Sequence, residues 1–189
     1  GNILGTGTET GTGYITMTTS GATISGATIS NLTLNNAGGF SLTGSPTITS
    51  DLSFTAGQLA IAANTLTIQG VLTNMSAANA LTGSTSSNLT FSGASGTSPG
   101  TLFMDQTTDG TTNLIANFTY NRSASVALGN KLAVTNMLLS AGGVSAAANR
   151  AGVALFTPAS VAWAESTTAM RSVKGLMCSS SPLGAGLAD

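Results

Sequence analysis

Apolar and polar residues alternate along most of this chain in very short pieces. Examples are Ala22-Thr23-Ile24, Leu32-Thr33-Leu34, Phe40-Ser41-Leu42, Leu52-Ser53-Phe54, Leu66-Thr67-Ile68, Leu89-Thr90-Phe91 and Phe118-Thr119-Tyr120. A period of two predicts strands, and β-branched Thr as the polar partner suits a pleated surface. Gly, Asn, Ser and Pro between the pieces predict turns. The spacing of the pieces carries more information than the pieces themselves. Leu32 to Leu52 is 20 residues, Leu52 to Val71 is 19, Phe40 to Leu59 is 19 and Ile48 to Ile68 is 20. Further along, Leu114 to Leu132 is 18 and Phe118 to Leu138 is 20.

Three interleaved series sharing one period predict an all-β fold, a parallel β-solenoid of roughly 18–20-residue coils with three short strands each. One such coil cannot bury its apolar side chains alone, so coils must stack. The expected interior column holds Leu32, Phe40, Ile48, Leu52, Leu59, Ile68, Val71, Leu114, Phe118 and Leu132. Phe54, Phe91 and Phe103 also occupy strand positions and are expected in the core. Outward Thr, Ser and Asn are placed to form ladders of like side chains. If the whole chain coils, about nine turns give a rod on the order of 45 Å long.

The texture divides the chain. Residues 1–13 are a Gly/Thr-rich low-complexity lead-in or interaction segment, 14–140 the solenoid, and 141–189 an Ala-rich cap or separate module. Between Asn74 and Ser98, where Ala, Ser and Gly dominate, a looser coil or an excursion is expected. The chain begins at Gly1, which is read as processing or as a fragment of something longer.

Composition removes whole classes of chemistry. The 189 residues hold no His, one Cys and 11 charged side chains, 6% against roughly 25% in an ordinary domain. Without imidazole there is no Ser-His-Asp or Cys-His nucleophile and no His-ligated zinc. Five cations cannot neutralise a run of phosphates, so nucleic acid is not an expected partner. No apolar run is long enough for a transmembrane span. Thr and Ser, 31 and 24 residues, supply a hydroxyl-rich surface with little repulsion between copies, which suits packing or polymerisation.

Candidate chemistry is sparse. Gly5 to Gly13 has the wrong spacing for a dinucleotide fingerprint. Asp105 and Asp109, four apart before Gly110, read as an Asp-Gly turn and as a weak calcium candidate. Arg122 and Lys131 read as solvated turn charges, with a lyase-type role beside an acidic cleft as the alternative. Cys178 reads as a free thiol, with an intermolecular disulfide as the alternative. Tyr14, Tyr120 and Trp163 read as core or coil edge, or as sugar-stacking rings if exposed. Asn31, Asn74, Asn88, Asn117 and Asn121 start Asn-x-Ser/Thr triplets. Catalytic residues and cofactors are expected to be none.

Three segments carry a resemblance. They are Gly100-Thr-Leu-Phe-Met-Asp-Gln-Thr-Thr-Asp-Gly-Thr-Thr-Asn through Asn121-Arg122, Gly129-Asn-Lys-Leu-Ala-Val-Thr-Asn136, and Leu52 to Gly70. They resemble repeats of large secreted surface proteins of Bacteroidota, which are similar to adhesins and filament components. The resemblance spans about 31–140. It implies export, an extracellular or cell-surface location, and a non-enzymatic structural subunit of a filament, sheath or adhesin stalk. Such a subunit is expected to pair with copies of itself through solenoid ends and strand edges. Alternatives that share the texture are a carbohydrate-binding or polysaccharide-lyase-like β-helix contacting a surface glycan, and a phage tail-fibre shaft.

Overall fold

In a computed structural model, residues 1–93, 96–146 and 153–155 are described. They contain strands and turns and no helix, and the strands stack as a parallel β-solenoid. The first coils carry β1 (Tyr14–Met17), β2 (Ala22–Ile24), β3 (Thr28–Asn35), β4 (Phe40–Leu42) and β5 (Thr47–Ala56). Next come β6 (Leu59–Ala60), β7 (Thr65–Ile68), β8 (Val71–Thr73), β9 (Leu81–Thr82), β10 (Ser84–Phe91) and β11 (Thr101–Leu102). The last are β12 (Leu114–Asn121), β13 (Val126–Leu128), β14 (Leu132–Ala141), β15 (Val144–Ala146) and β16 (Val153–Leu155).

Three sheets line the coil. The longest runs β1-β3-β5-β7-β10-β12-β14-β16, with β8 also paired to β5. The others run β2-β4-β6-β9 and β11-β13-β15. Eight successive strands in the longest sheet give the described residues a stack of about 34 Å at ~4.8 Å per step, and the nine turns expected of the whole chain extend outside the described residues.

Register places like over like in the interior. Leu32 pairs with Leu52 and Leu52 with Leu72, while Ile29, Ile48, Ile68, Phe91 and Tyr120 form another column. Phe40 stands over Leu59 and Leu59 over Leu81. The rings of Phe118 and Tyr120 stack with centroids 6.3 Å apart, and Phe91 lies 5.9 Å from Phe118, in the range where offset aromatic pairs attract.

Four details of the expected core are corrected. Asp51 pairs with Val71, so Val71 stands on the outer side, partly exposed, and Leu72 fills the interior. Phe118 pairs with Met137, leaving Leu138 outside at 41% exposure. Leu114 and Leu132 are both buried, but Leu114 stands opposite Ala133 and Leu132 opposite Val153. Phe103 faces outward and lies over Gly129, where a Cβ would come within 2.3 Å of its ring.

The boundaries also differ. Residues 1–13 are the first coil, not a lead-in: Ile3 bridges Ile24 and Thr8 bridges Thr28, both parallel. The ladder also passes residue 140, through β15 against β13 and β16 against β14. Residues 156–189, with the expected cap, Trp163 and Cys178, lie outside the described residues. The coil period is less uniform than 18–20. It is 17 from Tyr14 to Asn31, 23 from Leu66 to Leu89 and 29 from Leu89 to Phe118. Within Asn74 to Ser98 the chain forms β9 and β10, and residues 74–80 before them lie outside the strands. The 29-residue coil carries a second excursion, 105–113.

Close stacking constrains the corners. Gly57 has φ +90, and a Cβ there would lie 2.0 Å from the Asn36 carbonyl oxygen of the preceding coil. Glycine meets both demands, the left-handed backbone and the bare approach.

Candidate functional site

The charged side chains are distributed as fasteners between coils. Glu9 accepts from the Ser30 N–H at 3.0 Å and from the Gly11 N–H, tying the first coil to the second. Asp51 accepts from the Tyr14 hydroxyl at 3.0 Å on one side and from the Thr73 hydroxyl at 2.9 Å on the other. Its carboxylate thus links three coils through their outer surface. That contact holds the Tyr14 phenol above its ordinary value, through the hydrogen bond to Asp51 first and its charge second. Tyr14 is 56% exposed, at the coil surface.

The 105–113 excursion is closed by its own side chains. Asp105 is buried, and its Oδ1 accepts from the Thr107 N–H at 3.0 Å and the Thr107 hydroxyl at 2.6 Å. Fully buried Asn113 accepts from the Gly110 N–H at 2.7 Å and donates to Asp109 Oδ1 at 2.9 Å. Asp109 Oδ2 is paired with Lys131 of the next coil. The expected Asp-Gly turn is therefore a latched loop. Both calcium-candidate carboxylates, Asp105 and Asp109, are occupied by protein donors. Among the described residues no three His, Cys, Asp or Glu side chains gather at one point.

Burial pushes the Asp105 carboxyl up, but hydrogen bonds from Thr107, Gln58 and Thr112 outweigh it and hold the group below its ordinary 3.8. A carboxyl depressed by folding stabilises the folded chain above its unfolded value, and that stabilisation is lost as pH falls through the folded value. The difference in urea midpoint between the native chain and Asp105→Asn is therefore expected to be full above pH 3.8 and to shrink below it. A difference that stays constant from neutral pH into that acid range would refute the assignment. Asp109 is lowered in the same direction, first by the Lys131 hydrogen bond and then by Asn113. Its pair with Lys131 is exposed, where water screens most of the attraction.

Arg122 is not a solvated turn charge. It is 1% exposed, with Nη1 donating to the Gly70 carbonyl and Nη2 to the Thr97 carbonyl at 3.2 Å. Its Nε is buried without a partner. The lyase-type arrangement needs this guanidinium on an open flank, and the fold turns it inward. Tyr120 is also buried, donating to the Ala124 carbonyl.

What remains outward is a field of uncharged polar groups. Asn88, Asn117 and Asn136 stand in register on β10, β12 and β14. Asn117 donates to Asn88 and Asn136 to Asn117 at 3.1 Å, an amide ladder along the stack. Beside it runs a column of threonines, one per rung. Spacing in the sequence announces the ladders, since both recur at coil intervals. Nothing in the sequence announces the burial of Arg122.

Comparison with family models, with curated proteins and with solved structures finds no match to this chain. No helix among the described residues is long and apolar enough to cross a membrane.

Proposed function

We propose that this chain is a non-enzymatic structural segment of an extracellular filament, sheath or adhesin stalk. The observation that supports this reading is the ladder itself. Eight strands follow one another in parallel, stacked side chain over like side chain. Each described carboxylate is spent on protein donors, fastening coils or latching the 105–113 loop, rather than facing a common point. A rod of this kind transmits tension along its backbone hydrogen bonds and presents a long, chemically uniform flank. The resemblance of 31–140 to Bacteroidota surface repeats supports the location.

The assembly mechanism is edge pairing. At the first coil, β1 uses one edge for β3, and its other edge has no strand partner among the described residues. A parallel edge of this kind is a template for another strand, and few charges here oppose its approach. Light scattering and negative-stain images across a concentration series test this. Rods lengthening with concentration are expected. A monodisperse monomer at high concentration overturns the reading, and so does an obligate trimer, which would favour a fibre shaft.

A further inference from the structure

Thr8, Thr28, Thr47, Thr67, Thr90 and Thr119 form one column across six rungs, each registered on the next. The column ends at the exposed Leu138. Parallel to it, on the same strands and two residues earlier, run Thr65, Asn88, Asn117 and Asn136. No charged side chain interrupts either column.

Several threonine hydroxyls elsewhere in the molecule are spent inside the protein. Thr73, Thr82 and Thr107 bond through their hydroxyls to other side chains, and Thr112 to a carbonyl. None of the six column hydroxyls is engaged by another protein group. They are part-exposed or exposed on the outer surface, so their hydrogen bonds go to whatever lies on it. Thr is stiff at χ1, and the ladder fixes its Cα, so the hydroxyls and methyls are pre-organised. Together with Thr65, Asn88, Asn117 and Asn136 they form a polar net over four rungs, ~4.8 Å between rungs and about 6.7 Å between alternate residues of a strand.

From this geometry we infer that the column is a binding face for ice. The ligand that fits is uncharged and periodic in two directions. Its surface oxygens exchange hydrogen bonds with hydroxyls, while ordered water packs around the methyls. The surface of hexagonal ice has these properties and a repeat close to the rung step. A soluble sugar is periodic in one direction only, and neither column holds an aromatic ring for it to stack on. The inference does not depend on self-assembly, since the face lies along the flank of a single chain.

The test uses the full chain at a concentration where light scattering reports monomers. Uptake of labelled protein into a slowly growing ice hemisphere is measured, with thermal hysteresis alongside and co-sedimentation with crystalline cellulose as the competing arm. The native chain, and Thr23→Tyr on the β2-β4-β6-β9 sheet, are expected to enter the ice. The double variant Thr67→Tyr with Thr90→Tyr is expected to be excluded while its circular dichroism stays native. Thr67→Val with Thr90→Val keeps the shape and removes two hydroxyls, and is expected to enter less. Exclusion of the native chain overturns the inference, whether or not it sediments with cellulose. Equal uptake of the native chain and a folded column variant overturns it as well.

Discussion

Replacing Arg122 by Ala is expected to lower the unfolding free energy by about 3–5 kcal/mol, measured from urea midpoints at constant slope. The corner at Gly70 explains why. A Cβ on Gly70 would lie 1.3 Å from the Ser50 carbonyl oxygen, so the coils approach there on bare backbone. The Gly70 carbonyl accepts from Arg122, 52 residues later in the chain, and the Thr97 carbonyl takes the other arm of the same guanidinium. Truncation to Ala opens a cavity where a fully buried side chain stood and removes two charge-assisted hydrogen bonds, each contributing about 1.5–3 kcal/mol. Burial of the charge itself opposes folding by several kcal/mol, and its removal returns part of the loss. Two further variants separate these effects. Arg122→Met keeps the stem and discards the charge, so its loss is expected to be smaller than that of Ala. Arg122→Lys keeps the charge on a head that cannot fork to both carbonyls, and it is expected to fall with Ala. Stability within about 1 kcal/mol of native for Arg122→Ala would remove the guanidinium from the list of coil fasteners.

That role was out of reach of the sequence for a physical reason. Both partners of Arg122 are backbone carbonyls, and every residue carries one. Residue type therefore says nothing about which of them needs a donor. The solenoid, in contrast, was legible, because Leu32, Leu52, Ile48 and Ile68 repeat where the structure stacks them. The errors sit where two or three apolar residues are adjacent. Leu102-Phe103-Met104 cannot all face inward, and the bare Gly129 makes room for the Phe103 ring outside. Val71-Leu72 poses the same ambiguity immediately after the corner at Gly70, where alternation restarts. The first coil was hidden differently. Its Gly- and Thr-rich residues join the ladder mainly through backbone groups, as in the Thr28 N–H bond to the Gly7 carbonyl, and backbone pairing leaves little mark on residue choice. The Asp105–Asn113 excursion showed its turn but not its latch, since the closing Lys131 comes from the next coil.

The one-residue shift at Val71 makes the second large effect a test of register. Leu52 is fully buried between Leu32 and Leu72, whereas Val71 stands beside Asp51 on the outer side. Leu52→Ala is expected to cost about 2–5 kcal/mol, the range for removing a large aliphatic side chain from a packed interior. Val71→Ala is expected to cost less than about 1 kcal/mol. If the interior column ran through Val71, the two losses would be comparable, and urea titrations of both variants distinguish the cases. The form of the transition adds a second readout. Each coil in a solenoid is held only by its neighbours, so weakening one coil weakens both of its interfaces. Leu52 sits on β5, which pairs with β3 on one side and with β7 and β8 on the other. A gap there separates the first two coils from the rest of the stack. Leu52→Ala is therefore expected to lose cooperativity as well as stability, with the 1–35 region unfolding at lower urea than the remainder. Hydrogen exchange would place that early step in β1, β2 and β3. A single, equally steep transition for Leu52→Ala would mean that the coils are coupled over longer range than stacking between neighbours provides.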